Sequence, residues 1–510
     1  MGAASIGVCA GLLMAGMVLR IAQGQAGNRG TAARSGTALI PSGLDREIRR
    51  VEADVDRIEL QALGEWHALP INASTRMDQV RILGKLLLFD KNLSVNRNEA
   101  CSFCHMPDTD FTGPISILNQ TTVAYPGSVR HRFGHRKPQS YTYAPFYPVL
   151  QYNQAQQDFY GGNFWDLRAT GYRLQNPAAE QAQDPPVDPN EMGFTDSACL
   201  VRRLSQSSYR HLFEIVWGEQ AFEIQWPRDV EQVCSKPGPA PANDPFPVRL
   251  SKSGRGRSNS TYDQFGLSIA MYEASPDVSP FSSKFDHALA HPDQTVLSPD
   301  ELAGWNLFHG RAKCNTCHLD GMQNSEAGNS VVVTLGNAAS VAPLFTDFTS
   351  NNLGLPKNDS IPYYTEDQPD PSGYTANPLG ARFVDKGVGG FLRGPDNVNG
   401  SWRQYANVFD GRFQTTTLRN VDKRPSPDFV KAYMHNGYLK SLKEVVHFYN
   451  TRDTLGNCNR ANDPGEKVKC WPPPETPQNV NQTIGRLGLS DREEDQIVAF
   501  LKTLTDGYKP

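Results

Sequence analysis

Two copies of one short motif constrain the fold of this 510-residue chain more than any other feature. Cys101-Ser-Phe-Cys104-His105 and Cys314-Asn-Thr-Cys317-His318 lie 213 positions apart. Two thiols at this spacing can add to the two vinyl groups of one porphyrin, while the next residue places its imidazole under the iron. Each copy therefore predicts a covalently bound haem c, with His105 and His318 as proximal ligands.

A Cys-x-x-Cys redox pair, or one half of a four-cysteine zinc site, is the competing interpretation of each motif. Neither alternative requires a histidine at the same offset in both copies. Recurrence of all three residues therefore favours haem.

The length of the chain fits two haem modules, because a c-type haem domain typically takes about 100 to 200 residues. A hydrophobic content of 38% is enough for real cores, whereas 43 glycines and 37 prolines indicate extensive irregular loops. The formal net charge of −4 provides no basic footprint, so we expect no nucleic-acid partner.

Hydrophobic periodicity and helix-capping patterns predict a mostly α fold, with no long alternating strand. We expect two c-type cytochrome domains with long loops, and haem groups near the domain interface. Their predicted bounds are 44–292, with a loop insertion at about 236–260, and 293–510. Helices are predicted over 44–63, 77–88 and 196–216, from the capping box Ser298-Pro-Asp-Glu301 to the second motif, and from the capping box Ser490-Asp-Arg-Glu493 to about Leu504.

The N-terminus carries an apolar run from Ile6 to Leu19, followed by small residues around Ala22-Gln23-Gly24. This pattern resembles the hydrophobic region and cleavage site of a signal peptide, which we place at 1–24 with a linker at 25–43. An uncleaved membrane anchor is the alternative, although the run is shorter than the roughly 20 residues of a spanning helix. We therefore expect export to the periplasm, where c-type haem is attached, and no stable membrane insertion after cleavage.

Four cysteines remain besides the haem cysteines and Cys9 of the leader. An even number in an oxidising compartment suggests two disulfides, and proximity in sequence favours Cys199–Cys234 and Cys458–Cys470. Buried free thiols are the alternative.

The segment between the two motifs supplies groups that a simple electron carrier does not need. An enzyme needs an iron with an open position and a side chain that moves protons. Trp165 stands beside charged residues in Phe-Trp-Asp-Leu-Arg, and Glu191 follows in Asn-Glu-Met-Gly. An indole between two haems could carry an oxidising equivalent, with ordinary core packing as the alternative.

Several motifs appear here in the order of one known family. The chain resembles the bacterial dihaem cytochrome c peroxidases and their relatives of the MauG type, which oxidise a partner protein, over most of residues 80–505. The resemblance implies hydrogen peroxide as a substrate and, as partner, a small electron-donor protein or a protein substrate. The motifs are Leu83-Gly-Lys-Leu-Leu-Leu-Phe-Asp-Lys-Asn-Leu-Ser94, Phe164-Trp-Asp-Leu-Arg-Ala169, Asn190-Glu-Met-Gly193, Thr417-Leu-Arg-Asn420 and Tyr433-Met-His-Asn-Gly437.

The resemblance also implies roles for three residues. Trp165 would lie between the haems and relay oxidising equivalents. Gln181 and Glu191 keep the ten-residue separation of the family's distal pair, on the peroxide side of the N-terminal haem. Glu191 would take a proton from peroxide and return it to the leaving oxygen, and Gln181 would orient the peroxide. A solvated loop carboxylate is the alternative for Glu191.

The sixth ligand of the C-terminal haem separates the subfamilies. Conventional members place a methionine, and MauG-like members a tyrosine, fourteen positions after the histidine of the His-Asp/Asn-Gly motif. The count from His435 reaches Tyr449. Leu442, Val445, Val446 and Tyr449 share one helical face, which predicts an inward phenol. Met434 and Met322 are the alternative ligands.

Two features depart from the family pattern. Its distal histidine for the N-terminal haem follows the first motif; here His131 and His135 are both candidates, and a solvated basic loop or no ligand at all is the alternative. The family's bridging calcium usually takes an asparagine directly after an arginine, but Arg136 is followed by Lys137. Calcium therefore stays an open expectation without support in the sequence.

These observations favour a MauG-like dihaem peroxidase. The two rivals are a conventional cytochrome c peroxidase, which draws electrons from a small cytochrome, and a non-catalytic dihaem electron carrier.

Overall fold

The computed structural model describes residues 43–70, 75–320, 330–335, 338–397, 399–459 and 463–510. The expected signal peptide, the linker up to residue 42, and Met322 lie outside these ranges. None of the helices in the described ranges is long and apolar enough to cross a membrane.

The described part of the chain is mostly helical, as predicted. The strands form three separate two-stranded antiparallel sheets, which pair Gln151–Asn153 with Asp158–Tyr160, Ser330–Leu335 with Ala338–Pro343, and Ser350–Asn351 with Phe413–Gln414. The α-helices are Leu44–Ala68, Arg76–Phe89, Cys101–Cys104, Ser116–Gln120, Pro177–Ala182, Ser197–Leu204, Arg210–Trp217, Val230–Cys234, Lys252–Glu273, Lys284–Ala290, Pro299–His309, Val388–Arg393, Leu442–Thr451 and Asp491–Lys502. Short 3₁₀ helices lie in the connections, over Lys91–Leu93, Pro107–Thr109, Ala144–Phe146, Glu219–Phe222, Cys314–Thr316, Pro362–Thr365, Gly380–Arg382 and Gly400–Phe409.

A first hydrophobic core surrounds the helix Arg76–Phe89, which is buried along almost its whole length. This helix packs against Lys252–Glu273 so closely that a Cβ atom at Gly84 would come within 2.2 Å of the Ser268 carbonyl oxygen. Glycine therefore permits the approach that brings the first haem motif against this core.

The prediction of a loop over 236–260 is wrong for its last third, since a helix begins at Lys252. The Ser251 hydroxyl caps the start of this helix, because it accepts a hydrogen bond from the Gly254 N–H at 3.1 Å. Two glycines and several serines gave this segment a low helix propensity, which packing of its buried face overrides. Buried residues recur at helical spacing: Gly254, Ser258, Thr261, Tyr262 and Phe265.

The helix predicted over 196–216 is two helices, Ser197–Leu204 and Arg210–Trp217. The hydroxyls of Ser205 and Ser207 donate to the carbonyls of Arg202 and Leu204 at 2.7 and 2.9 Å. Such local side-chain bonds compete with the helical ladder, so the serine-rich segment ends the first helix.

A second hydrophobic core lies between Phe285 and Leu504. Its helices Pro299–His309 and Asp491–Lys502 both begin at the predicted capping boxes, formed by Ser298 with Glu301 and by Ser490 with Glu493. They cross at Gly304, where a Cβ atom would lie 1.9 Å from the Gln496 carbonyl oxygen. Smaller clusters combine residues of both halves, for example Leu167 with Trp402.

Both predicted disulfides are present, Cys199–Cys234 and Cys458–Cys470. Cys101, Cys104, Cys314 and Cys317 are free thiols. The two classes of cysteine are thus separated as the sequence predicts.

Candidate functional site

The first Cys-x-x-Cys-His motif forms one helical turn at the wall of two adjoining cavities of about 580 and 1020 Å³. Cys104 and His105 line both cavities, and Cys101 lines the smaller one. The Nδ1 atom of His105 lies 2.8 Å from the Phe111 carbonyl oxygen. A carbonyl only accepts, so Nδ1 carries the proton and Nε2 keeps the lone pair that a metal needs.

The second motif has the same arrangement. Cys314, Cys317 and His318 line a largely apolar cavity of about 1250 Å³, and His318 Nδ1 lies 2.9 Å from the Phe345 carbonyl oxygen. Burial lowers the pKa of both His105 and His318 to about 4, so both imidazoles are neutral near pH 7. In both histidines the hydrogen bond from Nδ1 to a backbone carbonyl oxygen leaves Nε2 free to bind a metal.

Polar atoms left without partners support the fit of a haem in each cavity. Four buried polar atoms at these cavities have no hydrogen-bond partner among the described residues. They are Tyr141 Oη and Asn190 Oδ1 at the cavities of the first motif, and Tyr433 Oη and His435 Nε2 at the cavity of the second motif. Buried polar atoms normally have a partner. A c-type haem would fit each cavity: its vinyl groups would bond to the free thiols, its iron to the imidazole lone pair, its ring would pack on the apolar walls, and its propionates could bond to the unpaired polar atoms.

Trp165 lines the larger of the first cavities and also the second cavity. Its Nε1–H donates to the Lys137 carbonyl oxygen at 3.1 Å, and its carbonyl oxygen accepts from the Gln414 N–H at 2.8 Å. The indole ring lies 6.4 Å from the ring of His435. One hydrogen bond from the indole and one to the backbone carbonyl therefore hold Trp165 at the wall of both cavities.

A buried ionic network holds the loop that carries Trp165. Arg136 bonds to Asp166 at 2.7 Å and to both oxygens of Asp385, and Arg168 bonds to Asp166 at 3.1 Å. Burial alone would raise the pKa of Asp166, but the two guanidinium groups outweigh it and hold that pKa at about 2. The family motif Phe-Trp-Asp-Leu-Arg is thus used for ion pairs that position the tryptophan.

Glu191 and Gln181 both line each of the first two cavities. The Glu191 side chain is exposed on the side that faces the cavity, and protein surrounds it on its other sides. Burial raises its pKa to about 8, and the carboxylates of Asp188 and Asp184 add to the effect. A carboxyl with such a pKa can both accept and donate a proton near neutral pH.

Tyr449 lines the second cavity together with Leu442 and Val445, on the face of the helix Leu442–Thr451 that the sequence indicates. Burial raises the pKa of Tyr449 well above its ordinary value, so the phenol would ionise near pH 7 only against a strong positive charge such as a metal. Met434 also lines this cavity. Both candidate ligands in the described part are therefore at the site.

The two histidines of the basic loop are separated by the fold. His131 is exposed and its Nε2 lies 3.2 Å from Asp370, and it lines none of the cavities described above. His135 lines the larger of the first cavities and packs on Tyr363. Burial lowers the pKa of His135 to about 4, which keeps its imidazole neutral.

The position of His435 in the site was not predicted from the sequence, where this residue served only to locate Tyr449. Its buried ring stacks on Phe413 with 3.4 Å between ring centroids and faces the second cavity. The signal was the motif Tyr-Met-His-Asn-Gly, which brings the histidine beside the candidate ligand Met434.

The family model described as di-haem cytochrome c peroxidase matches residues 78–294. Over that range the chain resembles the dihaem cytochrome c peroxidases.

Among curated proteins, the chain is similar to the methylamine utilization protein MauG of Paracoccus denitrificans, with 27% identity over 85% of this chain and 90% of that protein. It is also similar to the cytochrome-c peroxidase IdrP1 of Denitromonas iodatirespirans, with 24% identity over 87% and 86% of the two chains. The crystal structure of the diheme peroxidase BthA from Burkholderia thailandensis has the same fold, with a TM-score of 0.58 and 24% identity over 84% of this chain and 86% of that chain.

Proposed function

We propose that this protein is an exported enzyme that reacts with hydrogen peroxide at the haem of the first motif and passes oxidising equivalents through Trp165 to the haem of the second. A partner protein would be the final reductant. The observation that carries the proposal is the placement of Trp165, which lines cavities at both motifs, while Gln181 and Glu191 line only those at the first.

Two side chains perform the proton chemistry in this proposal. When bound, the haem iron supplies the redox chemistry that receives the oxidising equivalents of peroxide. The Glu191 carboxylate takes a proton from the near oxygen of peroxide and returns it to the far oxygen, which leaves as water. The Gln181 amide orients the peroxide by hydrogen bonding. The raised pKa of Glu191 suits both transfers.

The presence of two large hydrophobic cores supports two domains, proposed at 44–292 and 293–510, although Phe285 of the first range packs in the second core. The first core extends from Val51 to Val278 and the second from Phe285 to Leu504. Two disulfides in a chain with free haem cysteines support export, because such bonds persist in oxidising compartments.

We assign Tyr449 as the sixth ligand of the second haem, which would make the enzyme MauG-like and its substrate a protein. A hard phenolate favours oxidised iron, so both haems could hold oxidising equivalents. A conventional peroxidase, with a small cytochrome as donor, is the second candidate, and the position of Met434 in the same cavity favours it.

The two assignments differ in the effects of Tyr449→Phe and Met434→Leu on the diferric holoprotein. We expect Tyr449→Phe to shift the low-spin EPR signal, because the ligand sets the electronic structure of the iron, and Met434→Leu to leave that signal unchanged. The opposite pattern would assign methionine and favour the conventional peroxidase.

A further inference from the structure

A polar cavity of about 620 Å³ adjoins both haem sites. It shares Trp165 and Met434 with the cavity of the second motif, and Lys137 and Trp165 with the larger cavity of the first. Charges in this polar cavity are therefore placed to act on both sites and on the indole between them.

Lys137 enters the polar cavity with its side chain almost fully buried. Its ammonium donates to Thr112 Oγ1 at 2.8 Å and to the Pro138 carbonyl oxygen at 2.9 Å, and lies 5.9 Å from the centre of the Trp165 ring. An ammonium at this distance over an indole is a cation–π contact.

The backbone of Lys137 fixes the same region. Its N–H donates to the His435 carbonyl oxygen at 2.8 Å, and its own carbonyl oxygen accepts the Trp165 indole N–H. Lys137 thus joins the segment after the first haem motif to Trp165 and to the His435 loop of the second site.

A second ammonium lies in the wall of the polar cavity. Lys431 is buried, donates to the carbonyl oxygens of Asn420 and Lys423 at 3.1 Å, and lies 3.7 Å from Asp110. Among the described residues that line this cavity, Asp110 is the one carboxylate against the two ammonium groups.

These residues do not fit the calcium ion that the family pattern implies. Calcium needs six to eight oxygen ligands, and the family usually supplies one from an asparagine after an arginine. At that position Lys137 has no oxygen in its side chain, and its amine uses Thr112 Oγ1 and the Pro138 carbonyl oxygen as its own acceptors. Burial and the neighbouring Lys431 lower the pKa of Lys137 to about 7, so its amine is charged in only part of the molecules near neutral pH; the positive charge that remains opposes entry of a divalent cation.

We propose that Lys137 is a built-in cation that takes the place of the bridging calcium, so that this dihaem protein does not bind calcium between its haem sites. The ammonium holds the hydroxyl and carbonyl oxygens of the polar cavity and faces the indole, as a bound ion would. Lys137 is on this account a positioning residue for Trp165. The proposal rests on the family resemblance and on the cavity geometry, and it does not depend on the partner or on peroxide turnover.

The test measures calcium itself on the haem-loaded protein, using calcium chloride as the probe after dialysis against EGTA. We expect no stoichiometric uptake by the wild type up to about 1 mM calcium, the weak end of protein sites. We expect EGTA to leave both haem EPR signals unchanged. Lys137→Asn restores an oxygen and removes a charge, so it should bind calcium with a Kd below about 1 mM.

Lys137→Met is the matched control, because it removes the charge without supplying an oxygen and should bind no calcium. Stoichiometric calcium in the wild type, released by EGTA with a change in the EPR spectrum, would overturn the proposal, and this arm stands even if a variant fails to fold. If Lys137→Asn and Lys137→Met both fold, calcium uptake by both variants, or by neither, would also overturn the proposal. Elemental analysis reads these outcomes without any catalytic assay.

Discussion

Replacement of Glu191 by glutamine is expected to lower kcat/KM for hydrogen peroxide by about 10²- to 10⁴-fold, the range of positioned general acid–base catalysis. The amide keeps the size of the side chain and its place in the cavity wall, but it cannot take or return a proton. The substitution should therefore slow the cleavage of peroxide and leave the EPR spectrum of the resting diferric protein unchanged.

The pH profile supplies a second readout of the same variant. Only the carboxylate accepts a proton, so kcat/KM of the wild type should rise with pH through the pKa of Glu191, which burial raises to about 8. The Glu191→Gln profile should be flat over that interval. Glu223→Gln, at an exposed position paired with Arg257, is the matched control and should behave as the wild type. Unaltered peroxide turnover in Glu191→Gln would contradict the proton-transfer role of Glu191, and absence of turnover in the wild type would favour the non-catalytic electron carrier.

Replacement of Arg419 by methionine is expected to lower the free energy of unfolding of the holoprotein by about 3–5 kcal/mol, as for a buried ion pair that loses one partner. Arg419 bonds to both oxygens of Asp286 at 2.9 and 2.7 Å and to the Pro343 carbonyl oxygen at 2.7 Å. Both side chains of the pair are 1% exposed. Methionine would leave the Asp286 carboxylate buried without its counter-ion.

Chemical denaturation measures this loss, and Arg492→Met is the control. Arg492 and Asp300 form an exposed pair at 3.4 Å, so its loss should cost no more than about 1 kcal/mol. Equal destabilisation by the two variants would contradict a special role of the buried pair.

Acid should act on the same interaction. Burial would raise the pKa of Asp286, but hydrogen bonds and charge from Arg419 lower it below the ordinary value of 3.8. A lowered folded-state pKa contributes stability above the unfolded-state pKa, and this contribution is lost as the pH falls through the folded-state value. The wild type should therefore lose more stability on acidification below pH 4 than Arg419→Met does.

The local features of this structure could be predicted from the sequence. Capping boxes at Ser298 and Ser490 marked helix starts because their hydrogen bonds form within four residues. Short separations made the disulfide pairs predictable, and the haem motifs placed their own thiols and histidines.

Long-range packing was not readable in the same way. The helix from Lys252 forms although its glycines and serines disfavour it, since its buried face packs on Arg76–Phe89. The orphaned Nε2 of His435 and the cation over Trp165 depend on segments that meet only in the folded chain. The split between His131 and His135 is of the same kind, because His131 contacts Asp370, 239 positions away in sequence, and lines none of the described cavities.

Freeze-quench EPR after one equivalent of hydrogen peroxide follows the proposed relay through Trp165 at both haems. In the wild-type holoprotein, the ferric signals of both haems should decrease together. In Trp165→Phe, the first motif's haem should respond and the second should lag behind it. Trp402→Phe, a buried tryptophan that lines none of the described cavities, should match the wild type. Simultaneous loss of both signals in Trp165→Phe, or a response from only one haem in the wild type, would contradict the account.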